Sequence, residues 1–294
     1  NYDVTYASDN SLEISMFQPG AYLNRDLEFT FSLTNNSFGR DFFSALNQEV
    51  DGHFAFFLTP PNFVSNTEVL NRKIVFLVST STTMFGFKLE ASIAAMKLGL
   101  DELGATDYFN VIQYNNYSNR WRTDLVPANE TNINSAKAYL DGLSASGGSN
   151  LESGIQTALD QFEDSDYHNA IVAFTDGQSP LDPLAISAGN THDVAIFPVA
   201  IGSSVSHARL DMLARLHYGF VTYLDDQSDL VESMYRVFQI VNKPLFHNVS
   251  LDFNKDDIHD VFPESAPSTY AGSYSLFSGR YTSASNTSLD YWGD

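Results

Sequence analysis

The sequence predicts an α/β chain: a doubly wound, mostly parallel, Rossmann-like sheet inserted in a β-sandwich that is discontinuous in sequence. Three observations carry that prediction. Between residues 73 and 241, strand-length apolar runs alternate with amphipathic helical segments, a rhythm that builds a parallel sheet covered by helices. On both sides of that block the apolar residues return to period two, as half-buried strands do. The stretch after Pro244 is also short for an independent core, which pairs it with the opening residues. The predicted division is 1–70, first part of the sandwich; 71–242, the α/β domain; and 243–294, its second part.

Taken in order, Leu12–Met16 and Leu27–Leu33 alternate as strands. Asp51-Gly52 reads as a turn before a strand over His53–Thr59, which Pro60-Pro61 stops. Lys73–Val78 is a continuous apolar run, expected of a parallel strand buried on both faces. Leu89, Ile93, Met96, Leu100 and Leu103 mark a helix, with Gly104 at its stop. Strands are then predicted over Tyr108–Tyr114, Ala170–Phe174, Asp193–Ile201 and Phe220–Leu224. The helices expected between them are Ile133–Leu143, Leu151–Phe162, His207–Leu216 and Leu230–Val241. Leu245–Phe253 and Tyr274–Tyr281 are strands again.

Composition excludes several classes of function. The 36 acidic residues against 15 Lys and Arg give a formal charge of −21, a field that repels phosphate backbones and anionic lipid heads. No nucleic acid is expected as a partner, and no membrane insertion, because apolar runs fall far below the ~20 residues of a span. There is no cysteine, hence no disulfide, thiolate metal site or thiol nucleophile. The seven histidines show no zinc-hydrolase spacing, and phosphate-loop and nucleophile-elbow motifs are missing. An enzyme is not expected. The paired acids Asp225-Asp226 and Asp256-Asp257 read as solvated loops. Five Asn-x-Ser/Thr triplets are glycosylation acceptors in a eukaryotic host. The chain opens on Asn1 without an apolar leader, which reads as a mature chain or a piece of a larger one.

In a doubly wound sheet, ligands bind outside the carboxyl ends of the strands. Three segments should meet there: Ser79-Thr80-Ser81-Thr82-Thr83, Gly147-Gly148-Ser149-Asn150, and Thr175-Asp176-Gly177. In layout they resemble the von Willebrand factor A domain, whose metal-ion-dependent adhesion site uses Asp-x-Ser-x-Ser, a Thr in a Gly-Gly-Thr loop, and the Asp of Thr-Asp-Gly. Matched motif to motif, the resemblance implies Ser81, Thr83 and Ser149 as hydroxyl ligands and Asp176 as the last carboxylate. Ser79 stands where the family has its first Asp. The stretches Asp51–Pro61 and Phe262–Tyr281 resemble segments around the A domain of inter-alpha-trypsin-inhibitor heavy chains and related secreted bacterial proteins. In that group, and in integrin β subunits, an A domain interrupts a β-sandwich.

The resemblance implies an extracellular or cell-surface adhesion module, with Mg²⁺ (or Mn²⁺ or Ca²⁺) at the rim and a protein partner supplying a carboxylate. It further implies that ligand at the rim goes with a shift of the last helix. A hard cation of this kind takes about six oxygens at ~2.1 Å and keeps several waters. Loss of a carboxylate at Ser79 removes between about 1 and 4 kcal/mol of attraction, depending on screening. The metal is therefore expected to be weak or absent. Two other readings stay open: Ser149 as the N-cap of the helix carrying Leu151 and Ile155, and a metal-free structural component of a surface assembly.

Overall fold

The computed structural model describes residues 2–8, 11–16, 39–47, 50–60, 70–225, 230–246, 249–253, 257–263, 265–266, 269–271, 275–283 and 289–292. The chain divides into two compact units, 1–34 and 35–294. In the first, β1 (Tyr2–Ser8) and β2 (Ser11–Met16) form an antiparallel ladder, with Tyr2 opposite Met16. The strand expected over Leu27–Leu33 lies outside the described residues.

The second unit opens with β3 (Gly39–Asn47) and β4 (Val50–Thr59), which pair antiparallel. The α/β block then runs β5 (Arg72–Ser79), α1 (Phe87–Asp101), β6 (Tyr108–Tyr114), β7 (Ser118–Arg120), β8 (Val126–Pro127), α2 (Glu130–Asp141) and α3 (Leu151–Leu159). It continues through β9 (His168–Thr175), α4 (Pro183–Gly189), β10 (Ala195–Ile201), α5 (His207–Leu216), β11 (Thr222–Leu224) and α6 (Leu230–Val241). The sheet order is β11-β10-β9-β5-β6-β7, with β8 also on β6; strands β11 to β6 are parallel, and β7 and β8 run antiparallel at the edge.

Every residue of β5 is buried, and the pleat divides them between two cores. Ile74, Phe76 and Val78 join Met96, Leu100, Met234 and Phe238 on the α1/α6 face. Val75 and Leu77 join Leu151, Ile155, Leu210 and Leu213 on the α3/α5 face. With a helix layer on each side, the carboxyl ends of β5, β6 and β9 become the exposed rim where loops can gather.

After α6 come β12 (Pro244–Phe246), β13 (Val249–Phe253), β14 (Ile258–Phe262), β15 (Ser265–Ala266), β16 (Thr269–Tyr270), β17 (Ser275–Tyr281) and β18 (Leu289–Trp292). One four-stranded sheet, β14-β17-β4-β3, takes two strands from before the α/β block and two from after it. Strand β17 lies antiparallel to β4 from Ser275 opposite Leu58 to Tyr281 opposite Gly52.

Several elements differ from expectation for physical reasons. Asp51-Gly52 is not a turn but lies within β4, where a Cβ on Gly52 would fall 2.2 Å from the Tyr281 ring. The glycine is there for cross-strand approach. Helix α2 starts three residues early because Asn129 caps it, accepting from the Asn132 N–H at 2.9 Å. The stretch expected as one strand over Leu245–Phe253 is two strands in different sheets. Helix α4, which has no sequence-based expectation, is set by Asp182 accepting from Leu184 and Ala185 with Pro183 in the first turn.

Candidate functional site

Strand β5 ends at Ser79, and the chain passes through Thr80 and Ser81 into a single 3₁₀ turn over Thr82–Met84. The turn brings alternate hydroxyls together: Ser79 Oγ lies 2.9 Å from Ser81 Oγ, and Ser81 Oγ lies 2.9 Å from Thr83 Oγ1. This loop is tied to its neighbours by backbone. The Thr80 N–H donates to the Tyr114 carbonyl at 2.7 Å, the Ser146 N–H to the Thr80 carbonyl at 2.7 Å, and the Thr82 N–H to the Gly147 carbonyl at 3.1 Å. Asn116 Oδ1 accepts from the Gly148 N–H at 2.7 Å, and a Cβ on Gly147 would sit 2.5 Å from that oxygen.

Ser149 does not cap α3. Asn150 does, accepting from the Ser153 N–H at 3.1 Å, so the capping reading of Ser149 falls to the next residue. The Ser149 carbonyl instead accepts from Ser179 Oγ at 3.0 Å, and Ser179 Oγ accepts from the Leu151 N–H at 3.0 Å. Its own hydroxyl is buried and has no hydrogen-bond partner among the described residues. After β9, Asp176 is buried; Oδ1 accepts from the Gln178 N–H at 3.3 Å, whereas Oδ2 has no partner among the described residues.

The residue that joins the two halves is Tyr114, the last of β6. Its phenol is fully buried, and burial pushes its pKa well above the ordinary tyrosine range. The Asp176 charge adds to that rise, and the Thr175, Ser79 and Ser149 side chains oppose it. Those three hydroxyls approach the phenol closely enough to favour its charged form, but none is aligned to close a full hydrogen bond, and the Tyr114 hydroxyl is left without a partner among the described residues. Ser79, Ser149 and Asp176 thus all act on the Tyr114 phenol, and Ser81 and Thr83 follow Ser79 through their hydroxyl contacts. Tyr114 escaped the sequence reading because it ends an apolar strand and looks like core. Its one signal is a polar atom on the last strand residue at the carboxyl edge.

The donor set is one carboxylate and neutral hydroxyls, all hard oxygens, and two of them are buried and unpaired. That set fits a hard divalent cation or an ordered water and offers nothing to a soft metal. Among the described residues no group of three or more His, Asp or Glu side chains is placed to hold a metal. Around the centre, segments 80–86, 115–118, 143–151, 177–181 and 202–206 contain no Lys, Arg, Asp or Glu, although the chain carries −21. Two aromatic side chains stand out from these loops, Phe85 at 80% exposure and Tyr117 at 77%. No helix among the described residues is long and apolar enough to cross a membrane.

Known proteins bear on the fold and the family. Inter-alpha-trypsin inhibitor heavy chain H2 of Mesocricetus auratus is 27% identical over 246 residues, covering 79% of this chain and 26% of the relative. The Homo sapiens heavy chain H2 is 25% identical over 249 residues, covering 80% and 26%. The chain therefore spans about a quarter of the length of these curated relatives. Among solved structures, the von Willebrand factor type A protein from Catenulispora acidiphila superposes with a TM-score of 0.64 at 15% identity, covering 89% of this chain and 74% of that one. The ArnB paralog VWA2 from Sulfolobus acidocaldarius gives 0.61 at 14% identity, covering 87% and 71%. Both support the fold: a mostly parallel central sheet flanked by helices, with additional antiparallel sheets. The von Willebrand factor type A domain model matches residues 72–223, a little over half of the sequence and the same span as the parallel sheet with its rim, and the chain belongs to that family.

Proposed function

We propose that this rim is the binding face of an extracellular or cell-surface protein-interaction module, a binding protein and not an enzyme. Its ligand is a protein segment presenting a carboxylate. Ser81, Thr83, Ser149 and Asp176 would hold a hard divalent cation, Mg²⁺ or Mn²⁺ or Ca²⁺, weakly, because Ser79 replaces the family's first Asp. Once bound, such an ion supplies a positive point for the ligand's carboxylate. The observation that carries the reading is the pair of buried, unpaired oxygens, Ser149 Oγ and Asp176 Oδ2. Buried polar atoms are rarely left without a partner.

The uncharged loops support it as well. Beyond a Debye length of about 8 Å the −21 charge is largely screened, so once a cation offsets Asp176 an acidic ligand meets little further repulsion from the uncharged segments around it. Phe85 and Tyr117 give the same face apolar area for a protein partner. Within the second unit, the strands before and after the α/β block would form one discontinuous sandwich that serves as a stalk; the β4–β17 pairing supports that part of the division into 1–70 and 243–294.

Calorimetric titration with Mg²⁺, Mn²⁺ and Ca²⁺ tests the reading. Millimolar binding is expected for the native chain, and Ser79→Asp should tighten it between about fivefold and a thousandfold, from the charge restored. Equal affinities would place the ion elsewhere. A second reading, a metal-free structural component, is favoured by the Ser79–Ser81–Thr83 hydroxyls satisfying one another without an ion. Failure of both forms to bind any of the three ions would select it.

A further inference from the structure

Among the described residues the unpaired oxygens at the rim number three, and the third belongs to a residue outside the family's motif. Tyr114 is fully buried among Leu77, Leu151 and Ile155. Its ring is seated against α3 at Gly154, where a Cβ would lie 3.0 Å from Tyr114 Cγ. Backbone bonds fix it on the other side, since its carbonyl accepts from the Thr80 N–H and, at 3.3 Å, from Thr80 Oγ1. The ring has little freedom, so its hydroxyl is presented to Ser79, Ser149, Thr175 and Asp176 by packing.

Tyr114 OH, Ser149 Oγ and Asp176 Oδ2 are all buried and have no hydrogen-bond partner among the described residues. A buried tyrosine hydroxyl ordinarily finds one. Ser149 and Asp176 both act on the Tyr114 phenol, and three orphans on side chains that interact in this way indicate an atom that the chain itself does not provide. The hydroxyls of Ser79, Ser81 and Thr83 are already engaged with each other, so the unmet demand lies on the Tyr114 side.

We infer that Tyr114 is a member of the binding site, its hydroxyl forming with Ser149 and Asp176 a floor that receives a hard divalent cation or a water bound to it. The inference rests on the rim reading above and adds a residue which that reading does not need. A neutral phenol contributes an oxygen without charge, so it compensates Ser79 in ligand number while leaving the charge deficit in place. Phosphate and other anions are excluded as occupants, because Asp176 is the only charged group at the floor among the described residues and it is negative.

The experiment is Mn²⁺ and Mg²⁺ calorimetry on the whole chain and on Tyr114→Phe, which keeps the ring and deletes one oxygen, with Asp176→Asn as the reference loss. Tyr114→Phe should weaken binding by about five- to tenfold, the loss expected for one hydrogen bond, and Asp176→Asn should abolish it. The ultraviolet difference spectrum of tyrosine on Mn²⁺ addition should appear in the native chain and vanish in Tyr114→Phe. Without metal, Tyr114→Phe should melt no lower than the native chain, since it removes an unpaired buried hydroxyl. Native affinity in Tyr114→Phe overturns the assignment of Tyr114 and leaves the rim reading standing. A marked drop in ion-free melting temperature also overturns it, by showing a structural partner. No Mn²⁺ binding by the native chain overturns both.

Discussion

Ser79 and Asp176 both act on the Tyr114 phenol, Asp176 through its charge, so a carboxylate placed at 79 would add a second negative charge to the same surroundings. In the absence of ion, Ser79→Asp should therefore lower stability by about 1–4 kcal/mol, the range for two like charges near 4 Å under strong to moderate screening. Millimolar Mg²⁺ should restore the melting temperature by binding the native form; a variant as stable as the native chain without ion would show that the two side chains point apart. A second buried group sets a pH limit. His217 Nδ1 accepts from Asn190 Nδ2 at 2.7 Å, and burial lowers its pKa to about 4, against a weaker opposing pull from the Pro183 backbone. Between pH 6.5 and about 4 the unfolded chain takes up a proton that the folded chain refuses, so stability falls as pH drops through that window. The loss should reach about 2–3 kcal/mol, and melts of His217→Gln should show a correspondingly flatter acid slope. At this level the alternate hydroxyls of Ser79, Ser81 and Thr83 were picked out by their resemblance to the family motif, and they lie in contact with one another. The sequence was silent where packing decides. Nothing local to β6 says that Tyr114 aims its hydroxyl at a rim, and only folding shows Asn150, not Ser149, as the cap.

Strands buried on both faces and helices with a long apolar stripe were readable almost to the residue, as β6, α5 and α6 illustrate. Their periodicity is set by the sheet and does not depend on distant partners. Short edge strands β7 and β8, and helix α4, carry too few residues for a period to register. Asp51-Gly52 misled because a glycine that makes room for the Tyr281 ring looks, in sequence, like one that makes a turn. How α6 is fastened was equally hidden. The Arg72 guanidinium donates to the Asn242 carbonyl just after α6 and is paired with Asp107, whose carboxylate also accepts the N–H of Arg72 at 3.0 Å and of Gly104 at 2.7 Å. Both side chains are buried. Asp107→Ala should cost about 3–5 kcal/mol, because it leaves a guanidinium uncompensated in the interior. In urea titrations a loss below 1 kcal/mol would mean that water reaches Arg72 and replaces the carboxylate.

The two flanks of the α/β block meet in one sheet through β4 and β17, a connection suggested by the shortness of the tail and its return to period two. Which strands join which sheet was not legible, since two half-buried strands can pair in many registers and long-range contacts choose among them. The same flank fixes the exit of the last helix. Beyond α6, the Lys243 carbonyl accepts from the Ala271 N–H at 3.0 Å, and the Pro244 carbonyl from the Leu70 N–H at 3.3 Å. Tyr270 packs its ring against His168 and Phe197, and its hydroxyl lies 2.9 Å from His168 Nε2. Sliding α6 along the sheet would break this strap together with the Arg72 contact. A ligand moves such an equilibrium only by its differential affinity for the two positions, and a rim one carboxylate short has less of that difference to apply. Hydrogen exchange of the α6 amides should therefore be the same with and without millimolar Mg²⁺ in the native chain. Tyr270→Ala should speed exchange in the last turn of α6 by releasing the strap. If instead Mg²⁺ alone deprotects that turn in the native chain, the helix moves despite Ser79, and the strap must open with it.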